Sequence, residues 1–161
     1  MNVSTRMMMG AGAAMLLAGA AMALPTPDYL KAAGASDLFE KQSAQVVLAS
    51  TSNPKVKSFA TMMVTDHSKS TAMVKAAATK SGMAPKPPML MPKQQAMLAE
   101  LKAAKGLARD TLYVTQQKMA HEEALATQKD YAATGDKPAL RKVAGEIVPV
   151  VEHHIHTLSM M

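Results

Sequence analysis

The stretch from Asn53 to Thr71 constrains the fold of this chain most strongly. It reads NPKVKSFATMMVTDHSKST, and its apolar residues recur at the three- and four-residue steps of one helical face. That face continues through His67, so a histidine occupies a position where a leucine would be expected. The Asn-Pro pair at 53–54 is a typical helix start, and Gly82 is a typical helix end. The stretch therefore predicts a long amphipathic helix that carries an imidazole into a protein core.

Three further segments have the same periodicity, and together with the first they predict an all-α fold. The helix starts and ends suggested by capping residues place the four predicted helices at about 28–51 (or from 36), 54–81, 107–134 (or from 109) and 138–158. A proline-rich crossover, 82–92, and a short helix at about 93–105, ended by Gly106, separate the second helix from the third. This order predicts an antiparallel four-helix bundle with a short extra helix in the crossover between helices 2 and 3.

Composition excludes several classes of protein. A chain of 161 residues is long enough for one domain with a real core, and only 3% of its residues are aromatic. It has no cysteine, which excludes disulfides, thiolate metal sites and cysteine nucleophiles. The net charge is +6, but the lysines are scattered and no aromatic residues interleave with them as stacking platforms. We therefore interpret the lysines as a solvated surface and expect no nucleic-acid partner.

Residues 1–23 have the pattern of an export signal. A positive charge at Arg6 precedes an uncharged Met/Ala/Leu/Gly run that closes with Ala21-Met22-Ala23. A retained membrane anchor is the alternative, but the run is short for a bilayer span and two prolines follow it at once. We predict cleavage near Ala23, a periplasmic mature domain covering 24–161, and no stable membrane insertion after cleavage.

Four polar residues on the apolar faces of the four long helices form a candidate site: Glu40, His67, His121 and His154. Counting residues from the predicted turns at about 1.5 Å per residue places the first three at similar levels, with His154 about one turn deeper. Imidazoles and a carboxylate suit a divalent transition metal, and bundle interiors commonly hold such sites. The alternative is a set of polar core residues that satisfy one another by hydrogen bonding without a metal.

Other residues are weaker candidates as metal ligands. Asp66 lies about 100° around the helix from His67, which favours an exposed side chain. His153 flanks His154 on another face, and Glu146 is a possible extra carboxylate. Two further hypotheses are weaker. One is a loose copper or nickel site near the end of the chain, with His153, His156, Met160 and Met161 as ligands, and the other is docking of a protein partner on segment 82–92.

The order of four segments resembles a known family. FEKQSAQVVLASTSNPKVKSFATMMVTDH is followed by a short helix, by YVTQQKMAHEEAL and by a proline-bearing IVPVVEHHI. This order, over about residues 36–158, resembles the bacterial exported family known as domain of unknown function 4142. The resemblance implies a ferritin-like four-helix bundle whose recurring polar positions fall on Glu40, Asp66-His67, His121 and His154. It implies no settled activity.

The chain departs from the di-iron ferritin pattern, which has Glu-x-x-His pairs on two helices. The residues three positions before the core histidines are Val64, Lys118 and Val151. The leading hypothesis is therefore a non-enzymatic periplasmic protein that binds a divalent transition metal (Fe, Zn, Ni or Cu) or senses envelope conditions through the Glu/His cluster. The alternatives are a metal-dependent oxidase or detoxifying enzyme, and a structural or partner-binding stress protein whose partner the sequence does not identify.

Overall fold

The computed structural model describes residues 24–161, and this part of the chain is all-α. Its five helices are α1 (Thr26–Leu48), α2 (Pro54–Lys80), α3 (Pro92–Ala103), α4 (Gly106–Thr134) and α5 (Pro138–Ser159). The predicted signal segment, 1–23, and its predicted cleavage after Ala23 lie outside the described residues. From residue 24 onward, no helix combines the length and the apolarity that a membrane crossing needs.

Helix α2 begins and ends as the sequence predicts. Asn53 is its N-cap, and Oδ1 of this residue accepts hydrogen bonds from the backbone N–H groups of Lys55 at 3.0 Å and Val56 at 3.4 Å. These bonds satisfy two of the donors that the first turn of a helix leaves free. After the last turn, Gly82 adopts φ +75°, the left-handed conformation that favours glycine. Local sequence therefore fixes both ends of the helix that carries His67.

Two other helix boundaries differ from prediction. Helix α1 starts at Thr26 instead of Asp28 or Ser36, because the carbonyl oxygen of Pro25 already accepts the N–H groups of Asp28 and Tyr29. Gly106 was expected to end α3, but α3 stops at Ala103 and Gly106 begins α4 with φ +56°. A glycine in the sequence indicates a break between two helices, but it does not indicate whether the glycine ends the first helix or begins the second.

The long helices pack as a helical bundle around two apolar clusters, and a third, smaller apolar cluster joins α3 to α1. Helices α1 and α5 each contact both α2 and α4, while α3 covers α1 and α4. The first cluster is centred on the stacked rings of Tyr29 and Tyr131, whose centroids lie 3.8 Å apart. The second contains Phe59, Met63 and Tyr113. All five of these side chains are at most 2% exposed, so both clusters are dry cores that hold the long helices together.

A polar layer lies between the two apolar clusters on every long helix. Along α2, for example, Phe59 and Met63 belong to the second cluster, His67 follows, and Val74 belongs to the first. Helices α1, α4 and α5 likewise contribute Glu40, His121 and His154 between their members of the two clusters. The polar side chains of this layer are therefore buried at mid-height, where apolar residues separate them from the ends of the bundle.

Candidate metal centre

His67 is held in the polar layer by a carboxylate from α1. Its Nδ1 atom lies 2.9 Å from Oδ1 of Asp37, and both side chains are 7% exposed. The other carboxylate oxygen of Asp37 accepts a hydrogen bond from the Thr71 hydroxyl at 3.0 Å. Because an ionised carboxylate only accepts, Nδ1 of His67 carries the proton and Nε2 is its free position. Nε2 is buried and has no hydrogen-bond partner within residues 24–161.

His121 is fixed by its own helix. Its Nδ1 atom lies 2.9 Å from the carbonyl oxygen of Gln117, one turn earlier on α4. A carbonyl oxygen can only accept, so Nδ1 donates and the lone pair of the neutral ring is on Nε2. This Nε2 atom lies 3.3 Å from Nδ1 of His154.

His154 is oriented from α2. Its Nε2 atom lies 3.0 Å from Oδ2 of Asp66, which fixes the proton on Nε2 and leaves the lone pair on Nδ1. The Nε2 lone pair of His121 and the Nδ1 lone pair of His154 thus face each other. With both rings neutral, neither atom has a proton to donate, so the arrangement is repulsive unless a cation or a proton lies between them.

The three imidazoles form a trio of donor atoms. The ring centroids lie 5.7 Å apart for His67 and His121, 5.6 Å for His67 and His154, and 5.3 Å for His121 and His154. One nitrogen from each ring can be chosen so that all three lie within 4.8 Å of one another. Each ring also donates its other N–H to an acceptor outside the trio. Metal-binding histidines commonly show this arrangement, because the outer acceptor fixes the tautomer and raises the basicity of the ligand nitrogen.

Glu40 lies beside the trio as a buried carboxylate that accepts no hydrogen bond within residues 24–161. Its side chain is 1% exposed, and Oε1 lies 3.8 Å from Nδ1 of His121. Neither carboxylate oxygen has a hydrogen-bond partner within the described chain. A buried carboxylate without hydrogen bonds is costly, because burial penalises the charged form. Asp37 and Asp66 are held in hydrogen bonds with histidines, whereas Glu40 is not, so Glu40 is the carboxylate beside the trio that is free to balance the charge of a bound cation.

Burial and neighbouring charges separate the pKa values of these groups. Burial raises the pKa of Glu40 to about 7, against the opposing effect of the His67 charge. Burial lowers the pKa of His121 to about 3, and the charges of His67 and His154 act in the same direction. Burial also lowers the pKa of His154, although its hydrogen bond with Asp66 opposes this. At neutral pH His121 and His154 are therefore neutral rings with available lone pairs.

His67 is the most basic ring of the trio. Burial acts to lower its pKa, but the hydrogen bond with Asp37 and the negative charges of Glu40, Asp37 and Asp66 outweigh burial and raise it. A proton on Nε2 of His67 would therefore compete with a metal for the same lone pair.

The remaining candidates lie outside the trio. Asp66 was expected to be exposed, and its side chain is 32% exposed, but it reaches across to hydrogen-bond His154. His153 is exposed on the outer face of α5, with its ring 6.3 Å from that of His154. Glu146 is also exposed and pairs with Lys142 one turn earlier. His156 and Met160 are exposed near the end of the chain.

Asp37 was not among the residues predicted from the sequence to belong to the site. It precedes Glu40 by three residues, so both carboxylates project from one face of α1. That spacing was the available signal, but an aspartate in a predicted helix is more commonly an exposed residue. His154 was expected about one turn deeper than His121, yet their rings are adjacent. Counting residues from a turn locates a residue along the bundle axis only to within about one helical turn. The length of the two side chains is enough to bring rings that start about one turn apart into contact.

Comparison with known proteins gives a family and a fold. The model of a family described as "Domain of unknown function (DUF4142)" matches residues 11–161. Among solved structures, the chain is similar to a DUF305 fragment from Deinococcus radiodurans, with a TM-score of 0.70 and 17% sequence identity. That similarity covers 84% of this chain and 96% of the fragment, and it supports the helical fold alone. None of the curated proteins matches the chain.

Proposed function

Since the chain belongs to the DUF4142 family, whose description names no activity, we propose a function from geometry: the protein binds one divalent transition metal ion at His67, His121 and His154. Glu40 is the carboxylate that balances the charge of the ion. The protein is a binder or a sensor of envelope conditions, and the bound ion couples the four long helices.

The observation that carries this proposal is the set of hydrogen-bond acceptors around the outside of the trio, from which the proton positions follow. Asp37, the Gln117 carbonyl and Asp66 each accept a hydrogen bond from the outer nitrogen of one ring. The inner nitrogens of the neutral rings are therefore all lone-pair donors at mid-height in the bundle. A core of mutually satisfied polar residues would alternate donors and acceptors, whereas here two acceptor nitrogens lie 3.3 Å apart.

The donor set restricts the kind of metal. Imidazole nitrogens suit Zn, Cu, Ni and Fe, and the absence of cysteine removes thiolate ligands. The carboxylates of Asp37 and Asp66 are occupied by hydrogen bonds with histidines. A carboxylate-rich di-iron centre is therefore less well supported than a single ion on nitrogen ligands.

We also propose that the architecture is a ferritin-like antiparallel four-helix bundle with α3 in the crossover. Each long helix crosses the two apolar clusters in the order opposite to that of the helices it contacts, which supports antiparallel neighbours. Export through the signal segment at 1–23 and a periplasmic location are part of the same proposal. The mass of the mature protein recovered from the periplasm of an expressing bacterium tests them.

Elemental analysis tests the metal proposal. Purified protein is dialysed separately against Zn²⁺, Cu²⁺, Ni²⁺ and, without oxygen, Fe²⁺, and bound metal is counted per chain. We expect one tightly held ion in the wild-type protein and loss of that ion in His67→Ala and His121→Ala. His153→Ala is the matched control, because this exposed histidine adjoins His154 on the same helix.

Two results would contradict the proposal. One is no stoichiometric uptake of any of the four ions, and the other is an equal loss of metal in His153→Ala and His67→Ala. Oxygen consumption after Fe²⁺ addition separates a passive binder from an oxidase.

A further inference from the structure

One side of the histidine trio opens into a cleft. The cleft lies between α2 and α5 and has a volume of about 330 Å³. Two members of the trio, His67 and His154, line it together with Asp66. The third, His121, is 1% exposed and lies with Glu40 on the α1 and α4 side of the trio. Within residues 24–161, the trio therefore borders this cleft through His67 and His154 and not through His121.

The number of protein donors leaves room for a further ligand. Closed structural zinc sites usually have four protein ligands, whereas sites that accept an outside ligand have three and keep one position open. Here three nitrogens form the trio, and Glu40 lies away from the cleft. The cleft is therefore the side from which a further ligand would approach the trio, since His67 and His154 line it and Glu40 does not.

The walls of the cleft indicate what kind of ligand fits. One wall is apolar and includes Ile147, Val150 and Val151 from α5. The α2 side is lined by Lys69 and Ser70, whose side chains end in an ammonium group and a hydroxyl. Within residues 24–161, Lys69 has no carboxylate within ion-pair distance, and Ser70 has no side-chain hydrogen bond.

The negative groups of the cleft are already paired. Asp66 binds His154, and Glu146 pairs with Lys142. The groups that remain to bind a ligand are therefore a cation and a hydroxyl beside an apolar wall. Such a combination suits a small monoanion, because the ammonium group provides charge-assisted hydrogen bonds.

We infer that the cleft between α2 and α5 admits a small monoanion, such as a short-chain carboxylate, which completes the coordination of the ion on His67, His121 and His154. This inference rests on the proposed metal site. The anionic group contacts the metal and Lys69, and an alkyl part lies along the α5 wall.

Visible absorption of the Co²⁺-loaded protein tests the inference, because the d–d bands of Co²⁺ respond to a new ligand. Azide, acetate and butyrate are the probes. We expect a saturable spectral change with each anion and tighter binding of butyrate than of acetate. Lys69→Met should weaken binding by about threefold to tenfold, since the ammonium group is solvent-exposed.

Two further variants localise the effect. Val150→Trp fills the cleft from a position that is 40% exposed, so it should abolish the spectral change while the variant still binds Co²⁺. Lys75→Met is the matched control, because Lys75 is an exposed lysine of α2 that does not line the cleft. It should behave as the wild type.

The possible failures are distinguishable. Co²⁺ binding without a saturable response to any anion would overturn the inference and leave the metal site standing. A response that is unchanged in Val150→Trp and Lys69→Met would show that anions reach the ion by another route, which also overturns it. Failure to bind Co²⁺ together with failure to take up the other four ions would overturn both the metal site and the inference.

Discussion

At the scale of single residues, the outer hydrogen bonds of the three histidines determine what the site can do. The pair of Asp37 and His67 is the clearest example, because both side chains are almost fully buried and 2.9 Å separates Nδ1 from Oδ1. Removing the negative charge while retaining the shape should weaken the metal site without removing a ligand.

Asp37→Asn should therefore lower metal affinity by about tenfold to a hundredfold, which is the usual effect of changing an outer partner of a metal-bound histidine. Titration against a chelator of known affinity measures the change. Asp28→Asn is the control, since Asp28 is an exposed aspartate of the same helix. Equal affinities for wild type and Asp37→Asn would show that the hydrogen bond has no part in metal binding.

Glu40 gives a prediction about pH in the metal-free protein. Burial raises its pKa from the ordinary value of 4.5 to about 7, so between these values the folded state holds a proton that the unfolded state has released. Raising the pH through this range therefore favours unfolding. Glu40→Gln cannot ionise, and it should gain stability relative to the wild type as the pH rises from 4.5 to 7.

Urea unfolding at pH 4.5, 6 and 8 in the presence of a chelator measures this gain. Glu122→Gln changes an exposed glutamate and should show no such trend. If the free energies of unfolding of wild type and Glu40→Gln differed by the same amount at all three pH values, the raised pKa of the buried Glu40 carboxylate would be contradicted.

At the scale of helices, local sequence explains α2 better than it explains α1. Asn53, Pro54 and Gly82 are unambiguous signals, and the structure confirms the helix between them. The start of α1 depends on the carbonyl of Pro25, a backbone group that carries no sequence signal. Gly106 adopts a positive φ, as a glycine can. The sequence did not indicate whether this glycine ends α3 or begins α4.

Asn53→Ala should destabilise the protein by about 1 kcal/mol, because two N–H groups of the first turn of α2 lose their acceptor. Chemical denaturation measures the loss. Metal stoichiometry should stay unchanged, since His67 lies several turns further along the helix. Ser68→Ala is a suitable comparison, because Ser68 is exposed and bonds only to the carbonyl of Val64 in its own helix. A similar loss in both variants would contradict the capping role.

The site was predictable in part for a physical reason. Helical periodicity identifies polar residues on a buried face, so the whole predicted set could be selected from the sequence: Glu40, His67, His121 and His154. It cannot state which partner a side chain reaches. Asp66 lies off the stripe of α2 but faces α5, because in a bundle each helix has two neighbours and residues about 100° apart can both be inside.

At the scale of the whole molecule, the site is a layer of polar groups between two apolar clusters. The long helices meet at mid-height through polar groups, between the cluster of Tyr29 and Tyr131 and the cluster of Phe59 and Tyr113. Phe59 also packs near the trio, with its centroid 6.1 Å from that of His121 and 6.3 Å from that of His154. Without a cation, the facing lone pairs and the unpartnered Glu40 oppose packing at this level.

Metal should therefore stabilise the entire fold. An ion that binds the folded state alone and is present at about 100 times its dissociation constant adds about 2.7 kcal/mol. Thermal unfolding with increasing metal should show a midpoint that rises with concentration in the wild type and in His153→Ala. The same midpoint in His154→Ala should not change, and a parallel rise there would indicate binding elsewhere on the protein.

Anomalous diffraction from crystals grown with the ion that the protein retains tests the central claim most directly. The account predicts a single strong peak at mid-height in the bundle. It should lie about 2.0–2.1 Å from Nε2 of His67, Nε2 of His121 and Nδ1 of His154 if the ion is zinc. A peak found only at exposed histidines such as His153 or His156, or no peak in protein that has bound the ion in solution, would contradict it.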